Sequence, residues 1–377
     1  RDTNLSAFTI GIDVRLTYYR HGGIAEYMRQ LVSGLAEIRS DNRFLTLHNF
    51  RAVETLAPGS NFQRVNCYTP AHHRLESLAL GTELLPRRLD LLHNPDFIPP
   101  RFGAKRYVIT VHDLAFLLFE DIQTASSLRY YAGGIRRAVK QADCIISVSH
   151  ATKNDLMRLL DVPENKIRVI WEGIHPQYQE MDKNIVAERL RAHGFPALDD
   201  YILFVGTIEP RKNIPNLIRA CTLLRQKYGI TKKLLLVGQH GWLVEESLKA
   251  IDDSPFRDDI ILTGAVAYED LPVLYNGAGL HILPSLYEGF AFPALEAMAC
   301  GTPTIVSDRG ALREITGDAA LLVNPDDPES ITDAMYQLLT DSDLRFLQRE
   351  KGLQHVRQFT WRKTAESTLA VYHEVLA

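Results

Sequence analysis

Short apolar runs alternate along the whole chain with segments whose apolar residues recur at helical spacing. The runs are rich in branched aliphatic residues, which predicts buried strands. Predicted strands lie near Phe8–Val14, Phe44–His48, Leu91–His93, Tyr107–Val111, Cys144–Val148, Arg168–Ile170, Tyr201–Val205, Leu234–Val237, Ile260–Leu262, Leu280–Leu283, Thr304–Val306 and Ala320–Leu322. Predicted helices between them include Ile24–Ile38, Leu128–Ala142, Ala151–Leu160, Pro215–Tyr228 and Ala294–Cys300. Strands that alternate with helices indicate parallel sheets covered on both faces.

These strands are too many for one Rossmann sheet, so the pattern predicts an α/β protein with two doubly wound, Rossmann-like domains. The boundary is expected between Ile174 and Tyr201, where a polar helix near Asp182–His193 ends at Gly194. We predict domains at residues 1–176 and 177–357, followed by a helix in 358–377. In that helix an apolar stripe at helical spacing is typical of core packing. The stripe consists of Trp361, Ala365, Leu369, Tyr372 and Leu376.

Composition agrees with this picture. The 377 residues are 46% hydrophobic and 23% charged, which suits two soluble globular domains. No apolar run approaches the roughly 18 residues of a membrane span, and Arg1–Leu5 shows no signal-peptide core. Cys67, Cys144, Cys221 and Cys300 are scattered without metal-ligand spacing. We therefore expect a cytoplasmic protein with reduced thiols.

Charge is distributed unevenly. Residues 1–180 carry 22 Lys and Arg against 19 Asp and Glu, a net of +3, and the rest carries 20 against 27, a net of −7. The basic first half is compatible with peripheral contact at the inner face of a membrane, or with an acidic acceptor. No basic tract interleaved with aromatic residues is present, so no nucleic-acid partner is expected.

The segment from Glu288 to Glu296, Glu-Gly-Phe-Ala-Phe-Pro-Ala-Leu-Glu, carries the most chemistry. Pro293 suits the first position of a helix, so we expect Glu288 on a loop and Glu296 in the first helical turn. The N–H groups of such a turn can hold a phosphate, and two carboxylates can accept hydrogen bonds from hydroxyls. Together these groups describe a nucleotide sugar. Glu296 alone would not indicate a ligand, because a Glu in the first turn stabilises a helix by roughly 0.3–1 kcal/mol without any ligand.

With this pair the chain resembles the retaining GT-B glycosyltransferases of family 4, whose signature is two glutamates with seven residues between them. The resemblance is densest from Tyr201 to Asp326. It implies two domains facing across a cleft: 1–176 mainly for the acceptor, 177–357 for the nucleotide-sugar donor, and 358–377 crossing back to the first. Ala291 stands where the family usually has Gly. Alanine still allows close backbone approach to a diphosphate but disfavours a positive φ.

Two adjacent cations, Arg211 and Lys212, follow the predicted strand Tyr201–Val205. The planar guanidinium of an arginine and the compact ammonium of a lysine, just past a strand end, suit a diphosphate. The resemblance implies that they neutralise the leaving nucleoside diphosphate. It also implies that Glu288 holds donor-sugar hydroxyls and Glu296 the ribose.

Further positions follow from the resemblance. His112, at the end of a predicted strand, would contact the donor sugar. Gly22 and Gly23, at a strand-to-helix turn, would cover the donor from the first domain, although the family continues with Gly and Arg where this chain has Ala25 and Glu26. The remaining donor-binding positions are Gly206, Val266, which lies in a turn that would present its backbone to the nucleobase, and Gly289, Phe290 and Ala291.

Two other polar segments have structural interpretations. Ser149 follows a predicted strand and is expected to cap the next helix. Asp341-Ser342-Asp343 fits the D-x-D pattern of metal-dependent glycosyltransferases, but it lies between two predicted helices, where capping is the expected role. We therefore predict no metal and no other cofactor.

The resulting expectation is retaining transfer of a hexose from GDP-mannose or a UDP-hexose to a saccharide, lipid-linked or small-molecule acceptor. GDP-mannose is preferred because Gly11–Arg15, followed by Gly-Gly-Ile, is similar to bacterial mannosyltransferases of this family. Alternatives are a sugar-nucleotide epimerase or phosphorylase of the same fold, and a non-catalytic nucleotide-sugar-binding subunit. A dinucleotide oxidoreductase is disfavoured because no glycine fingerprint occurs.

Overall fold

The computed structural model describes residues 7–19, 23–73, 75–119 and 125–377, with side chains except at 125–130. The chain forms two compact units. The first comprises the described residues up to Gly173 together with Phe359–Ala377, and the second comprises Ile174–Gln358.

The first unit is built on a seven-stranded sheet in which all pairs of neighbouring strands are parallel. Its strands are β1 Thr9–Asp13, β2 Arg43–Asn49, β3 Phe62–Cys67, β4 Leu89–Asn94, β5 Ala104–Val111, β6 Cys144–Ser147 and β7 Ile167–Val169, in the order β3-β2-β1-β4-β5-β6-β7. Its helices are α1 Gly23–Ala36, α2 Glu76–Leu84, α3 Ala115–Leu118, α4 Ala125–Gln141, α5 His150–Leu160 and the last helix of the chain.

The second unit is built on a six-stranded parallel sheet. Its strands are β8 Tyr201–Val205, β9 Lys233–Val237, β10 Ile260–Gly264, β11 Leu280–Leu283, β12 Thr304–Ser307 and β13 Leu321–Val323, in the order β10-β9-β8-β11-β12-β13. The helices after Gly173 are α6 Lys183–Ala192, α7 Ile214–Tyr228, α8 Glu245–Asp252, α9 Leu271–Gly277, α10 Phe292–Ala299, α11 Gly310–Thr316, α12 Pro328–Thr340, α13 Ser342–His355 and, in the first unit, α14 Trp361–Leu376.

Both sheets follow the strand order 3-2-1-4-5-6 of doubly wound nucleotide-binding folds, and the first adds a seventh strand. The predicted fold class, two doubly wound α/β domains, is confirmed. In each sheet the order reverses at one place, between β1 and β4 and between β8 and β11. Ligands of such sheets bind at the carboxyl ends of the strands beside this reversal.

One strand was not predicted. β3 reads Phe-Gln-Arg-Val-Asn-Cys, with polar residues between the apolar ones, and it lies at the edge of its sheet. Gln63 and Asn66 of β3 are exposed and Arg64 is partly exposed, so the continuous apolar run that marks the central strands is missing. By contrast, β8 and β11 have the bounds predicted from the sequence, and all their residues are buried.

The last helix begins where the sequence places it. The Thr360 side chain accepts a hydrogen bond from the Lys363 N–H, which caps α14. Trp361, Ala365, Leu369 and Tyr372 of the predicted stripe are buried, and the predicted core packing is confirmed. Since α14 packs against α1, the stripe contributes to the core of the first unit.

Two capping predictions are also confirmed. Ser149 accepts a hydrogen bond from the Thr152 N–H at the start of α5, and Asp341 accepts from the N–H groups of Asp343 and Leu344 at the start of α13. All four cysteines are free thiols. Among the described helices, none is both long and apolar enough to cross a lipid bilayer.

Candidate active site

The reversal point of the second sheet brings two loops together. The loop after β8 ends in a single 3-10 turn at Pro210–Lys212, and the loop after β11 leads through Glu288 into α10. The backbone N–H of Leu286 donates to the Arg211 carbonyl at 2.8 Å, and the Asn213 amide donates to the Pro284 carbonyl at 3.2 Å. These bonds fix the predicted cations beside the predicted glutamate.

Arg211, Lys212, Glu209 and Glu288 form a cation–carboxylate cluster. Lys212 Nζ donates to Glu288 Oε1 at 2.6 Å, and Arg211 Nη1 donates to Glu288 Oε2 at 2.7 Å. Arg211 Nη1 also donates to the Tyr287 carbonyl, and Arg211 Nε lies 2.5 Å from Glu209 Oε1. Glu288 thus bridges the two cations, and Glu209 orients the guanidinium from its other edge.

The cluster contains equal numbers of positive and negative side chains, and three of the four residues are less than 10% exposed. Burial alone would raise the pKa of Glu288, but the charges of Lys212 and Arg211 outweigh burial and lower the pKa to about 2. Burial and the neighbouring Arg211 lower the pKa of Lys212, against the opposing effect of Glu288. A buried site of this kind can present two fixed cations to an arriving diphosphate without reorganising them.

Gly206 lies close to the end of the Lys212 side chain. Its φ is +156°, and a Cβ on it would lie 3.5 Å from Lys212 Cε and 3.6 Å from Nζ. A side chain would therefore adopt a rare backbone conformation and occupy space beside the ammonium. The predicted donor-binding glycine is thus in contact distance of the cluster.

The predicted position of Glu296 is wrong in one respect. α10 begins at Phe292 and has Pro293 as its second residue, so Glu296 is the fifth helical residue and lies outside the first turn. Its Oε2 accepts a hydrogen bond from the Tyr275 hydroxyl of α9 at 2.8 Å. This hydrogen bond links the carboxylate to α9.

The residues between the two glutamates are buried. Ala291 is fully buried and has φ −137°, so the alanine at this family glycine position causes no backbone strain. Phe290 is 7% exposed and packs edge to face against Phe292, with ring centroids 5.2 Å apart. Gly289 is buried beside them.

Val266 lies after β10, two residues beyond Gly264, which has φ +68°. The Val266 side chain is half-buried and packs against the apolar core of the second unit. Because that side chain is engaged in packing, a ligand contact at this turn would be made by the backbone. The nucleobase contact stays a prediction.

His112 lies in the first unit, one residue after β5. Its Nε2 is 2.9 Å from the Pro95 carbonyl oxygen, and its Nδ1 is 3.0 Å from Glu172 Oε1. A carbonyl oxygen and an ionised carboxylate both accept hydrogen bonds, so these two partners favour the cationic imidazole with hydrogens on both nitrogens. Burial lowers the pKa of His112, but the Glu172 carboxylate and the Pro95 carbonyl outweigh burial and raise it.

Two neighbouring glycines, Gly22 and Gly23, are predicted to cover the donor. Gly22 lies outside the described residues. Gly23 begins α1 with φ +46°, and a Cβ on it would meet no atom within 4 Å. The glycine there is favoured by the backbone conformation and not by lack of space.

Two acidic residues of these environments were not among the predicted site residues, namely Glu209 and Glu172. Both are at most 3% exposed, and each lies a few residues after the carboxyl end of a strand. An acidic residue flanked by apolar residues just past a strand end could have indicated both positions from the sequence. Among the described residues, no group of three or more His, Cys, Asp or Glu side chains is placed to hold a metal ion.

Comparison with known proteins supports the same interpretation. The model of Glycosyltransferase Family 4 matches residues 21–178, and that of the group 1 glycosyl transferases matches residues 187–355. The chain is 28% identical over 367 residues to O-antigen chain mannosyltransferase B of Escherichia coli, covering 93% of this chain and 95% of that protein.

Solved structures share the fold. Sucrose-phosphate synthase of Thermosynechococcus elongatus matches with a TM-score of 0.76 and 21% identity, over 97% of this chain and 98% of that one. The HepE protein of Anabaena in complex with UDP-glucose matches with a TM-score of 0.73 and 16% identity, over 97% of this chain and 100% of that one. The chain therefore belongs to the group 1 glycosyltransferases and has their GT-B fold.

Proposed function

We propose that this glycosyltransferase moves a mannosyl residue from GDP-mannose to a saccharide acceptor, with retention of configuration at the anomeric carbon. The observation that carries the proposal is the cation–carboxylate cluster, which places Arg211 and Lys212 at the ligand-binding edge of the second sheet. The similarity to an O-antigen chain mannosyltransferase supports mannose as the transferred sugar.

In the proposed reaction the bond between the anomeric carbon and the diphosphate breaks while the acceptor oxygen bonds to that carbon on the same face. The acceptor proton passes to the leaving phosphate oxygen. Arg211 and Lys212 stabilise the negative charge that develops on the diphosphate, which is the electrostatic contribution that usually dominates such transfers. These two cations supply the charge, so we propose a reaction that needs no metal ion.

Glu288 has two roles in this proposal. Its bonds to Arg211 and Lys212 hold two like charges in adjacent positions, and its carboxylate oxygens can accept further hydrogen bonds from donor-sugar hydroxyls. Glu296, held by the Tyr275 hydroxyl, would accept from the ribose hydroxyls. His112 would contribute positive charge near the donor sugar, because the acceptor partners of both its ring nitrogens stabilise the charged ring.

A UDP-hexose is the second candidate donor. The specific observation in its favour is that HepE, which shares the fold over the whole chain, was solved with UDP-glucose. Since 16% identity establishes only the fold, GDP-mannose is preferred on the sequence relative.

A donor panel tests the proposal. GDP-mannose, UDP-glucose, UDP-N-acetylglucosamine and ADP-glucose would be incubated in EDTA, with and without mannose oligosaccharides, and the product followed by NMR. We expect turnover of GDP-mannose, an α-linked product, and loss of turnover in Lys212→Met. Arg219→Ala, an exposed cation on α7 outside the cluster, should keep full activity.

Other outcomes would overturn parts of the proposal. Preference for a UDP-sugar would show that GDP-mannose is not the donor. A product with inverted configuration at the anomeric carbon would exclude retention. A changed sugar without acceptor, or turnover that requires phosphate, would indicate an epimerase or a phosphorylase. Donor binding without turnover would indicate a non-catalytic subunit.

We also propose that α2 and the turn after it touch an anionic membrane surface from the cytoplasmic side. Leu75, Leu78 and Leu85 are each at least 45% exposed, and Arg87 and Arg88 follow them. Exposed apolar side chains beside cations suit an interfacial segment. Replacing the three leucines by serine should reduce sedimentation with phosphatidylglycerol vesicles, and unchanged sedimentation would contradict the contact.

A further inference from the structure

The first sheet has its own reversal point, and a pocket opens there between the ends of β1 and β4. About 20 Å³ of the pocket is enclosed space that water-sized molecules can enter, within about 300 Å³ of non-protein space that includes open solvent. Leu16, Met28 and Ile98 contribute apolar surface to the pocket. The polar residues at this pocket are Asp13, Arg15, His72, Glu76, Asn94 and Asp96.

The one guanidinium of the pocket is fully engaged by protein groups. Arg15 Nε and Nη2 donate to the two Asp13 oxygens at 2.9 and 2.7 Å, Nη2 donates to Glu76 Oε1 at 2.6 Å, and Nη1 donates to the Thr69 carbonyl at 2.8 Å. Arg15 is 1% exposed. Its single charge therefore faces two carboxylates, and it is poorly placed to bind an anionic ligand.

Asn94 supplies an independent sign of a ligand. It is 2% exposed, and its Nδ2 donates to Asp13 Oδ2 at 3.2 Å. A carboxylate only accepts, so this bond fixes the amide with its oxygen on the other side. No group of the described residues donates to Asn94 Oδ1. Buried acceptors of this kind are normally satisfied, so the site favours a ligand that donates a hydrogen bond.

Other residues of the pocket also offer hydrogen-bond acceptors. His72 Nε2 lies 2.6 Å from Asp96 Oδ2, and the His72 backbone N–H donates to Glu76 Oε2 at 2.7 Å. Asp13, Glu76 and Asp96 together outnumber Arg15, so the pocket stays negative even with His72 protonated. A phosphate or carboxylate would be repelled, whereas hydroxyl groups can donate to these oxygens.

We infer that this pocket is an acceptor subsite for an uncharged, hydroxyl-bearing sugar unit, one of whose hydroxyl groups donates to Asn94 Oδ1. The inference rests on the proposed transferase function and names its acceptor class: the reacting end of the acceptor is a neutral sugar and not a sugar phosphate. Asp96 is the second group that accepts from the sugar.

Exposed aromatic side chains extend the subsite along the same edge of the sheet. Phe50 and Tyr68 follow the carboxyl ends of β2 and β3, and their rings stack with centroids 5.0 Å apart. They are 41% and 69% exposed. Neighbouring strands are about 4.8 Å apart, so the pair lies within roughly 10 Å of the end of β1. Aromatic rings can pack on the apolar faces of further sugar units, which indicates an acceptor longer than one residue.

Ligand-observed NMR and calorimetry on the full chain test the pocket without any donor. The probes are neutral mono-, di- and trisaccharides of mannose, glucose and galactose, each compared with the matching 6-phosphate of the monosaccharide. We expect a neutral sugar to bind and its phosphate to bind at least tenfold more weakly. Asn94→Ala should weaken neutral-sugar binding about tenfold, while Asn165→Ala, an exposed asparagine of the same unit, should not.

Further variants separate recognition from folding. Asp96→Asn, which removes one charge at constant shape, should reduce the preference for the neutral sugar at least threefold with an unchanged melting temperature. Tyr68→Ala should weaken trisaccharide binding several-fold and leave monosaccharide binding unchanged. If Tyr68→Ala changed vesicle sedimentation but left trisaccharide binding unchanged, the aromatic extension would be contradicted.

Three results would overturn the inference: equal or tighter binding of the phosphorylated sugar, no binding of any neutral sugar, or unchanged affinity in Asn94→Ala. Failure of the proposed transfer is separate from these results. It would appear as absence of turnover in the donor panel, and it would leave the sugar-binding measurements as they are.

Discussion

Glu288 holds two cations that would otherwise repel each other, and Glu209 holds one of them from behind. Each carboxylate is buried, so each depends on its cationic partner. Removing one partner of a buried ion pair leaves an uncompensated charge, which costs more than the pair contributes. Single substitutions in this cluster therefore affect folding as well as transfer, and the two effects must be separated.

A paired substitution separates them. Arg211→Ala leaves Glu209, 3% exposed, without its cation, and we expect a loss of about 3 kcal/mol in the free energy of unfolding. Adding Glu209→Gln removes the stranded charge and should restore most of that loss while transfer stays absent. Urea unfolding monitored by circular dichroism measures both variants. Wild-type stability in Arg211→Ala alone would show that Glu209 does not depend on Arg211.

His112 gives a prediction for pH. Its pKa is raised mainly by Glu172, so the charged ring stabilises the fold fully below about pH 6.5, and this stabilisation is lost as pH rises through the raised value. Glu172→Gln should lower the pKa of His112 and move the loss of stability to lower pH. NMR titration of the His112 ring measures the shift. An unchanged pKa in Glu172→Gln would contradict the ion pair.

At the scale of single elements, the packing of α1 against α14 depends on a glycine. A Cβ on Gly34 would lie 2.9 Å from the Ala365 Cβ and 3.0 Å from the Trp361 carbonyl oxygen. Both neighbours belong to the backbone or to a side chain without rotatable bonds, so neither can move away alone. Close approach of the two helices therefore requires glycine at this position.

Two glycine substitutions should change the free energy of unfolding in opposite directions. Gly34→Ala should lower the free energy of unfolding by about 1–2 kcal/mol, because overpacking outweighs the better helix propensity of alanine. Gly133→Ala on α4, where a Cβ meets nothing within 4 Å, should raise it by up to about 1 kcal/mol. Denaturant titration of both variants checks the comparison. A stabilised Gly34→Ala would mean that the two helices adjust without cost.

The central strands and long helices could be predicted because their apolar patterns are continuous. β3 could not, since its edge position breaks the pattern. α10 begins at Phe292, one residue before Pro293, which was expected to be the first helical residue. The neighbouring positions of Arg211 and Lys212 with Glu288 were predictable from the strand ends. Glu209 and Glu172 were missed although each is an acidic residue just past a strand end. Asn94 could not be predicted, because its role depends on Asp13, which is distant in sequence.

At the scale of the whole molecule, two sheets with the same strand order carry different chemistry at their reversal points. The second unit presents two cations held by carboxylates, which suits a diphosphate. The first presents carboxylate and amide oxygens around an engaged arginine, which suits hydroxyl groups. A nucleotide-sugar donor and a neutral sugar acceptor differ in these same properties. The proposed division of roles between the units thus rests on charge and not on topology.

The most direct test of the donor assignment is the affinity of the chain for a nucleoside diphosphate compared with its monophosphate. Isothermal titration calorimetry would compare GDP with GMP, and UDP with UMP, in the wild-type chain and in the Arg211→Ala/Glu209→Gln variant. If the cluster binds the diphosphate, the diphosphate of the donor base should bind at least tenfold more tightly than the monophosphate, and the variant should lose this preference. Equal affinities in the wild type, or an intact preference in the variant, would contradict the account.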